Sequence, residues 1–206
     1  AGMYSVGYTP KEIEEIAENM DWMKLFNDKI ERRNKGITRN MIEDQNSIVL
    51  PLGKKAMPKL PVGVVGGKTA SQQLNELFYG AIGTDDFTKF PRKFAAVATD
   101  LNSGEGVMIT KGSIATAIRA SLSLPSIFAP VRSGDRLYID GGVVRNLPVQ
   151  DLKVLGADYT IGVNVGDGFV KRDENKMNLI DVITDSSTIA GRQEVERQIR
   201  MLDLYM

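Results

Sequence analysis

Between Phe94 and Val165 the chain alternates short apolar runs suited to strands with capped stretches suited to helices, and few folds accept that order. Phe94 to Thr99 is apolar and small enough for a buried strand. Gly106 to Thr110 follows an Asn102-Ser103-Gly104 turn and reads as a second strand. Ser113 caps a helix that runs to about Leu122 and stops before Pro125. Leu137 to Ile139 is a strand ended abruptly by Asp140-Gly141-Gly142. Pro148 to Leu155 is a short helix closed by Gly156, and Tyr159 to Val165 is a last buried strand. Strands alternating with helices predict an α/β architecture with a mostly parallel central sheet.

The flanks are mainly helical. Thr9-Pro10-Lys11-Glu12 carries the cap, the proline and the glutamate of a capping box, and Ile13, Ile16, Ala17 and Met20 follow on one face. Met23 and Phe26 extend that stripe, which reads as core packing. Residues 27–67 are polar and broken by Gly and Pro, with Ile48 to Leu50 as a short strand; they read as a loop or flap insertion. A helix is expected from Thr69 to Tyr79, with Leu74, Leu77 and Phe78 inward and Gly80 as its stop. Leu179 to Leu204 holds one or two helices, where Glu196 and Arg200 have i,i+4 spacing.

Composition narrows the chemistry. The 206 residues contain no Cys and no His, so thiolate nucleophiles, disulfides, His-ligated zinc and a Ser-His-Asp triad are excluded for this stretch. Lys+Arg and Asp+Glu balance at 26 each, giving no basic excess that points to nucleic acid. No apolar run approaches the ~20 residues that span a bilayer.

Asp140-Gly141-Gly142, followed by Asn146-Leu147-Pro148, is the most informative segment. It places a carboxylate at the end of a strand, where open α/β sheets bind ligands, with glycines leaving room beside it. Asn146 is suited to hydrogen-bond the turn or the aspartate. On its own, Asp-Gly reads first as a capped turn. Asp100 after the first strand reads as structural. Ser121, Ser123 and Ser126 cluster beside Pro125, where packing or capping is the simpler reading. Gly63 to Gly67 with Lys68 and Thr69 lacks the spacing of a phosphate loop.

The ordered set formed by Phe94 to Leu101, Arg119 to Phe128, Tyr138 to Gly142 and Asn146 to Pro148 resembles the patatin-like phospholipase family, and its bacterial branch in particular. Ala1 to Pro10 resembles the helix that directly follows that family's nucleophile. The resemblance covers essentially the whole chain. It implies a three-layer α/β sandwich, incomplete at both ends, forming one acyl hydrolase domain over residues 1–206. It also implies a serine–aspartate dyad, needing no metal or cofactor, in which Asp140 is the base and Gly141, Gly142 and Asn146 shape its loop. The implied substrate is a phospholipid or other fatty acyl ester, met in transient contact with a membrane surface.

The family nucleophile occupies a Gly-x-Ser-x-Gly elbow. No such pentapeptide occurs here, nor does the family's Gly-rich oxyanion segment. The family pattern puts the serine a few residues before Ala1, so these 206 residues alone are expected to be inactive. A rival reading is a binding or assembly module that keeps the fold without the nucleophile. A third is a complete hydrolase using a serine near Pro125. The resemblance leans towards the bacterial envelope or secretion and leaves the oligomeric state open.

Overall fold

The computed structural model describes residues 1–25, 65–165 and 179–206. The expected flap at 27–67, with its strand at Ile48 to Leu50, lies almost wholly outside the described residues, as does Phe26. Three helices open the chain: α1 (Gly2–Ser5), α2 (Pro10–Asn19) and α3 (Trp22–Leu25). Thr9 caps α2 as its sequence predicts, with the Thr9 side chain accepting from the Glu12 N–H and Glu12 reaching back to the Thr9 N–H. Burial departs from expectation, however. Ile13, Ile16, Ala17 and Met20 are only half-buried, and Met23 is 79% exposed.

Helix α4 (Lys68–Leu77) starts at Gly67 in the left-handed region (φ +79°). A side chain there would collide with the Arg119 guanidinium, so glycine lets α4 begin against that side chain. Phe78 turns inward beyond the helix, and Gly80 sits in the following 3-10 turn, Tyr79–Ala81, rather than as a left-handed stop.

The centre is a four-stranded sheet in the order β2-β1-β4-β3, built from β1 (Ala96–Asp100), β2 (Gly106–Ile109), β3 (Val131–Ser133) and β4 (Arg136–Asp140). Every pairing in it is antiparallel. The mostly parallel sheet expected from strand–helix alternation is therefore corrected for these strands. Local connection explains the difference: β1 turns into β2 through residues 101–105, and β3 into β4 through Gly134-Asp135, and such short links can join only antiparallel neighbours. Strand β3 has no counterpart in the sequence reading.

Helix α5 (Ile114–Ser121), capped by Ser113 as expected, lies on this sheet. Ala120 of α5 packs with Ala98 of β1 and Tyr138 of β4. A larger cluster of Phe78, Phe87, Phe90, Ala96, Ile114, Ala115 and Ala117 joins α4, α5 and β1, with Met3 and Val6 from the chain start against it. Phe87 is fully buried and stacks on Phe90 at 5.4 Å between centroids. Burying such a ring contributes roughly 1.5–3 kcal/mol.

Past the sheet come α6 (Val149–Val154), β5 (Ile161–Gly162), α7 (Leu179–Ile199) and β6 (Leu204–Tyr205). Strands β5 and β6 are parallel partners. Asp203 fixes their start by accepting from both the backbone N–H and the hydroxyl of Thr160 at 2.7 Å. The buried strand expected from Tyr159 to Val165 is corrected: only Ile161 and Gly162 are regular, and Tyr159, Ile161, Val163 and Val165 are exposed. The expected Glu196–Arg200 pair is also absent. Arg200 lies past the end of α7, and the ion pairs along the described part of the helix are Arg192–Asp185 at 3.1 Å and Arg197–Glu194 at 2.8 Å. Among the described residues, no helix is long and apolar enough to cross a membrane.

Candidate active site

Asp140 is the last residue of β4. Its backbone is held on both sides: the N–H donates to the Ser123 carbonyl at 3.0 Å, and its carbonyl accepts from the Thr99 hydroxyl at 2.9 Å. The main chain of the aspartate is thus tied to β1 and to the segment after α5, while the side chain projects from a fixed base.

Gly141 and Gly142 then form a 3-10 turn. A side chain at Gly141 would run into the Val97 carbonyl of β1, within 2.7 Å of its carbon. Only glycine lets β4 bend there while staying against β1. At Gly142 a side chain would meet Asp140 Oδ1 at 2.9 Å and Asn146 Oδ1 at 3.1 Å. Gly142 therefore leaves open the space between the Asp140 carboxylate and the Asn146 amide. The three site-loop residues expected from sequence do come together around Asp140.

Electrostatics set this carboxylate apart. Loss of solvent raises the Asp140 carboxyl above its ordinary value, and the hydrogen bond from the Gly142 N–H to Oδ1, 2.6 Å long, opposes part of that rise. Among the described residues that N–H is the one donor it accepts from, and no cation lies within ion-pair distance of it. A carboxylate that is partly desolvated and unpaired is more basic than one in water, which suits it to take a proton from a weak acid such as an alcohol.

The serine candidates and Asp100 fall away from this arrangement, whereas Asn146 borders it. Asn146 is exposed and, among the described residues, its side chain makes no hydrogen bond to Asp140 or to the turn. Ser123 is fully buried, donating to the Arg119 carbonyl at 2.7 Å and accepting from its guanidinium at 2.6 Å. Ser121 is half-buried at the end of α5. Ser126 adopts φ +71° in the turn after Pro125, a conformation L-residues enter at a cost of about 1 kcal/mol. None of the three hydroxyls is hydrogen-bonded to the Asp140 carboxylate. Asp100 caps its own turn by accepting from the Asn102 N–H at 3.0 Å.

One interaction near the site has no single-residue signal in the sequence. Arg145 donates to Asp151 Oδ1 at 2.6 Å, joining the Asp140 loop to α6, and its stem lies over Gly106 of β2. Nothing in the spacing of Arg145 and Asp151 distinguishes that pair from two solvated charges. A concavity of about 500 Å³ runs along α4, lined by Gly66, Lys68, Ser71, Asn75 and Tyr79 among others. No residue of the Asp140 loop borders it, so it is a feature separate from the carboxylate. No group of three or more acidic side chains converges to hold a metal ion among the described residues.

Comparison with known proteins places the chain in a family. A family model described as patatin-like phospholipase matches residues 1–153, which include the Asp140 loop and the strands that hold it. An uncharacterised NTE family protein of Mycobacterium tuberculosis is 33% identical over 98 residues, covering 48% of this chain and 16% of the relative. A second uncharacterised NTE family protein from that species is 37% identical over 84 residues, covering 41% and 23%. The lysophospholipase NTE1 of Phaeosphaeria nodorum is 28% identical over 98 residues, covering 48% and 6%. The chain spans less than a quarter of the length of these curated relatives. With the family model matching most of its residues, the chain belongs to the patatin-like phospholipase family.

Proposed function

We propose that this chain contributes the aspartate half of a serine–aspartate lipid acyl hydrolase. The observation that carries the reading is Asp140 itself: a desolvated carboxylate with no counter-ion among the described residues, fixed at a strand end and followed by two glycines. The family match and a relative named as a lysophospholipase support a fatty acyl ester of a lipid as the substrate class. The nucleophilic serine is supplied from residues preceding Ala1. Helix α1, whose Gly2 packs against Ile118 of α5, is the segment that would follow it. The whole chain, residues 1–206, is then one part of a single hydrolase domain.

In this reading the serine hydroxyl gives its proton to Asp140 as Oγ attacks the ester carbonyl. The tetrahedral intermediate collapses, and Asp140 returns the proton to the departing alcohol. Water repeats the sequence on the acyl-serine: Asp140 takes a proton from it, the fatty acid leaves, and the serine regains its hydrogen. Backbone N–H donors would stabilise the oxyanion. Gly141 and Gly142 keep the space beside the carboxylate open, and Asn146 borders that space from the exposed side.

The test is labelling with a fluorophosphonate serine probe. It compares the 206-residue chain with a version extended upstream in its gene, each with and without Asp140→Asn. The expected result is that only the extended chain labels and that Asp140→Asn suppresses it. Labelling of the 206-residue chain by itself would place the nucleophile inside it. Failure of the extended chain to label would favour a module that keeps the fold without the chemistry.

A further inference from the structure

The family match ends at residue 153, yet the Asp140 loop is packed against a helix beyond that point, α7. We propose that α7 is the positioning element of this loop, with Gly191 as the residue that places Gly142 and thereby the hydrogen bond held by the Asp140 carboxylate. The proposal rests on Asp140 being the working carboxylate, although its test does not.

Gly191 lies in the interior of a 21-residue helix, where glycine costs about 1 kcal/mol relative to alanine. Contact explains its presence. A side chain at Gly191 would drive into the Gly142 carbonyl oxygen, within 3.0 Å of its carbon and 3.2 Å of the Val143 oxygen. Those neighbours are backbone, which cannot swing aside as the end of a flexible side chain could. The same residue also carries the Gly142 N–H, the donor to Asp140 Oδ1 at 2.6 Å. One residue thus touches α7 through its carbonyl and the site carboxylate through its N–H.

The grip has a second point. Gly191, Val195 and Gln198 recur at i, i+4 and i+7, and all three are buried on one face of α7. Gln198 Oε1 accepts from the Gln150 N–H at 3.1 Å, satisfying a donor in the first turn of α6. Glu194 orients Gln198 by accepting from its amide nitrogen at 2.6 Å. Helix α7 therefore holds the segment after Asp140 at both ends, at Gly142 and at Gln150, while the Arg145–Asp151 pair ties its middle to α6.

The experiment is residue-resolved amide hydrogen exchange on the 206-residue chain and its variants. Gly191→Ala is expected to speed Gly142 exchange at least tenfold beyond any change at the β1 amides. Equal acceleration at Gly142 and β1, or a gain in stability of the kind an ordinary helix glycine gives on replacement by alanine, would overturn the proposal. Gln198→Ala removes the second contact without adding an atom, so it remains readable if Gly191→Ala does not fold. It should speed exchange at Gln150 and, to a lesser degree, at Gly142, in both cases beyond any change at the β1 amides. Unchanged protection at Gln150 and Gly142 in Gln198→Ala would overturn the clamp. Absence of hydrolase activity in the extended protein would overturn the function of Asp140 and leave these exchange results standing.

Discussion

Asp100 closes β1 and Asp140 closes β4, and because the strands are antiparallel the two carboxylates sit at opposite ends of the pair, Asp100 across from Tyr138 and Asp140 across from Ala98. In sequence the two resemble each other: an apolar strand, an aspartate, then a turn containing glycine. In space each accepts one N–H from the residue two positions on, but they differ in their charged neighbours. Asp100 is 7% exposed, accepts the Asn102 N–H and has Arg136 at 3.8 Å. Among the described residues Asp140 has one N–H donor and no cation, and desolvation raises its carboxyl. The glycines differ too. Gly104, near Asp100, has open space around it and supplies only a positive φ of 75°, whereas Gly141 is required by the approach of the β1 backbone. One end of the sheet is a satisfied turn, and the other holds a partly desolvated carboxylate with a single donor and no cation among the described residues.

Replacing the two glycines should separate the ends most sharply. Gly141→Ala places a methyl group against the Val97 carbonyl and should cost about 3 kcal/mol or more, while Gly104→Ala should cost about 1 kcal/mol for its left-handed backbone. Chemical denaturation of both variants measures the contrast, and equal losses would break it. Removing the carboxylates should give opposite signs. Asp100→Ala loses the turn bond and should destabilise by roughly 1–2 kcal/mol.

Asp140→Asn should instead stabilise at neutral pH. The folded-state value of Asp140 is raised, so the stability linked to its proton is full below the unfolded carboxylate value near 3.8 and is lost as pH rises through the folded value. The wild type should therefore fall behind Asp140→Asn across that window, and the difference should shrink again in acid. Thermal melts at several pH values check this, and a pH-independent difference would contradict it. The smallest effect is expected at Arg136, which is more than half exposed and distant from its partner. Arg136→Met should change stability by about 0.5 kcal/mol or less, and less again in high salt.

Local signals made much of this fold legible. The capping box at Thr9 and the Ser113 cap depend on neighbours in sequence and form where those neighbours put them, while the strands expected at Phe94 to Thr99 and Leu137 to Ile139 form as Ala96–Asp100 and Arg136–Asp140. Strand direction is less legible because alternation with helices points to parallel pairing, while links as short as 101–105 and Gly134-Asp135 join only antiparallel neighbours. The run from Tyr159 to Val165 has the apolar alternation of a buried strand, but a pattern states which side chains favour burial, not what covers them; Val165 is 95% exposed. At the site, Asp140, Gly141 and Gly142 were legible as a strand-end turn. The Thr99 hydroxyl, the Arg145–Asp151 pair and Gly191 come from 41, 6 and 49 residues' separation or thereabouts in the chain, and only folding brings them to the loop. Gly191 did carry a signal, since a lone glycine inside a helical run asks for a packing reason.

The most direct test of the central claim compares the two ends in one assay. The upstream-extended protein, with and without Asp140→Asn and Asp100→Asn, would be assayed for hydrolysis of a fatty acyl ester. The account predicts that Asp140→Asn lowers the rate by about a hundredfold or more, as expected on removing a general base, while Asp100→Asn stays within about threefold of wild type. Wild-type rates in Asp140→Asn, or equal losses in both variants, would contradict it.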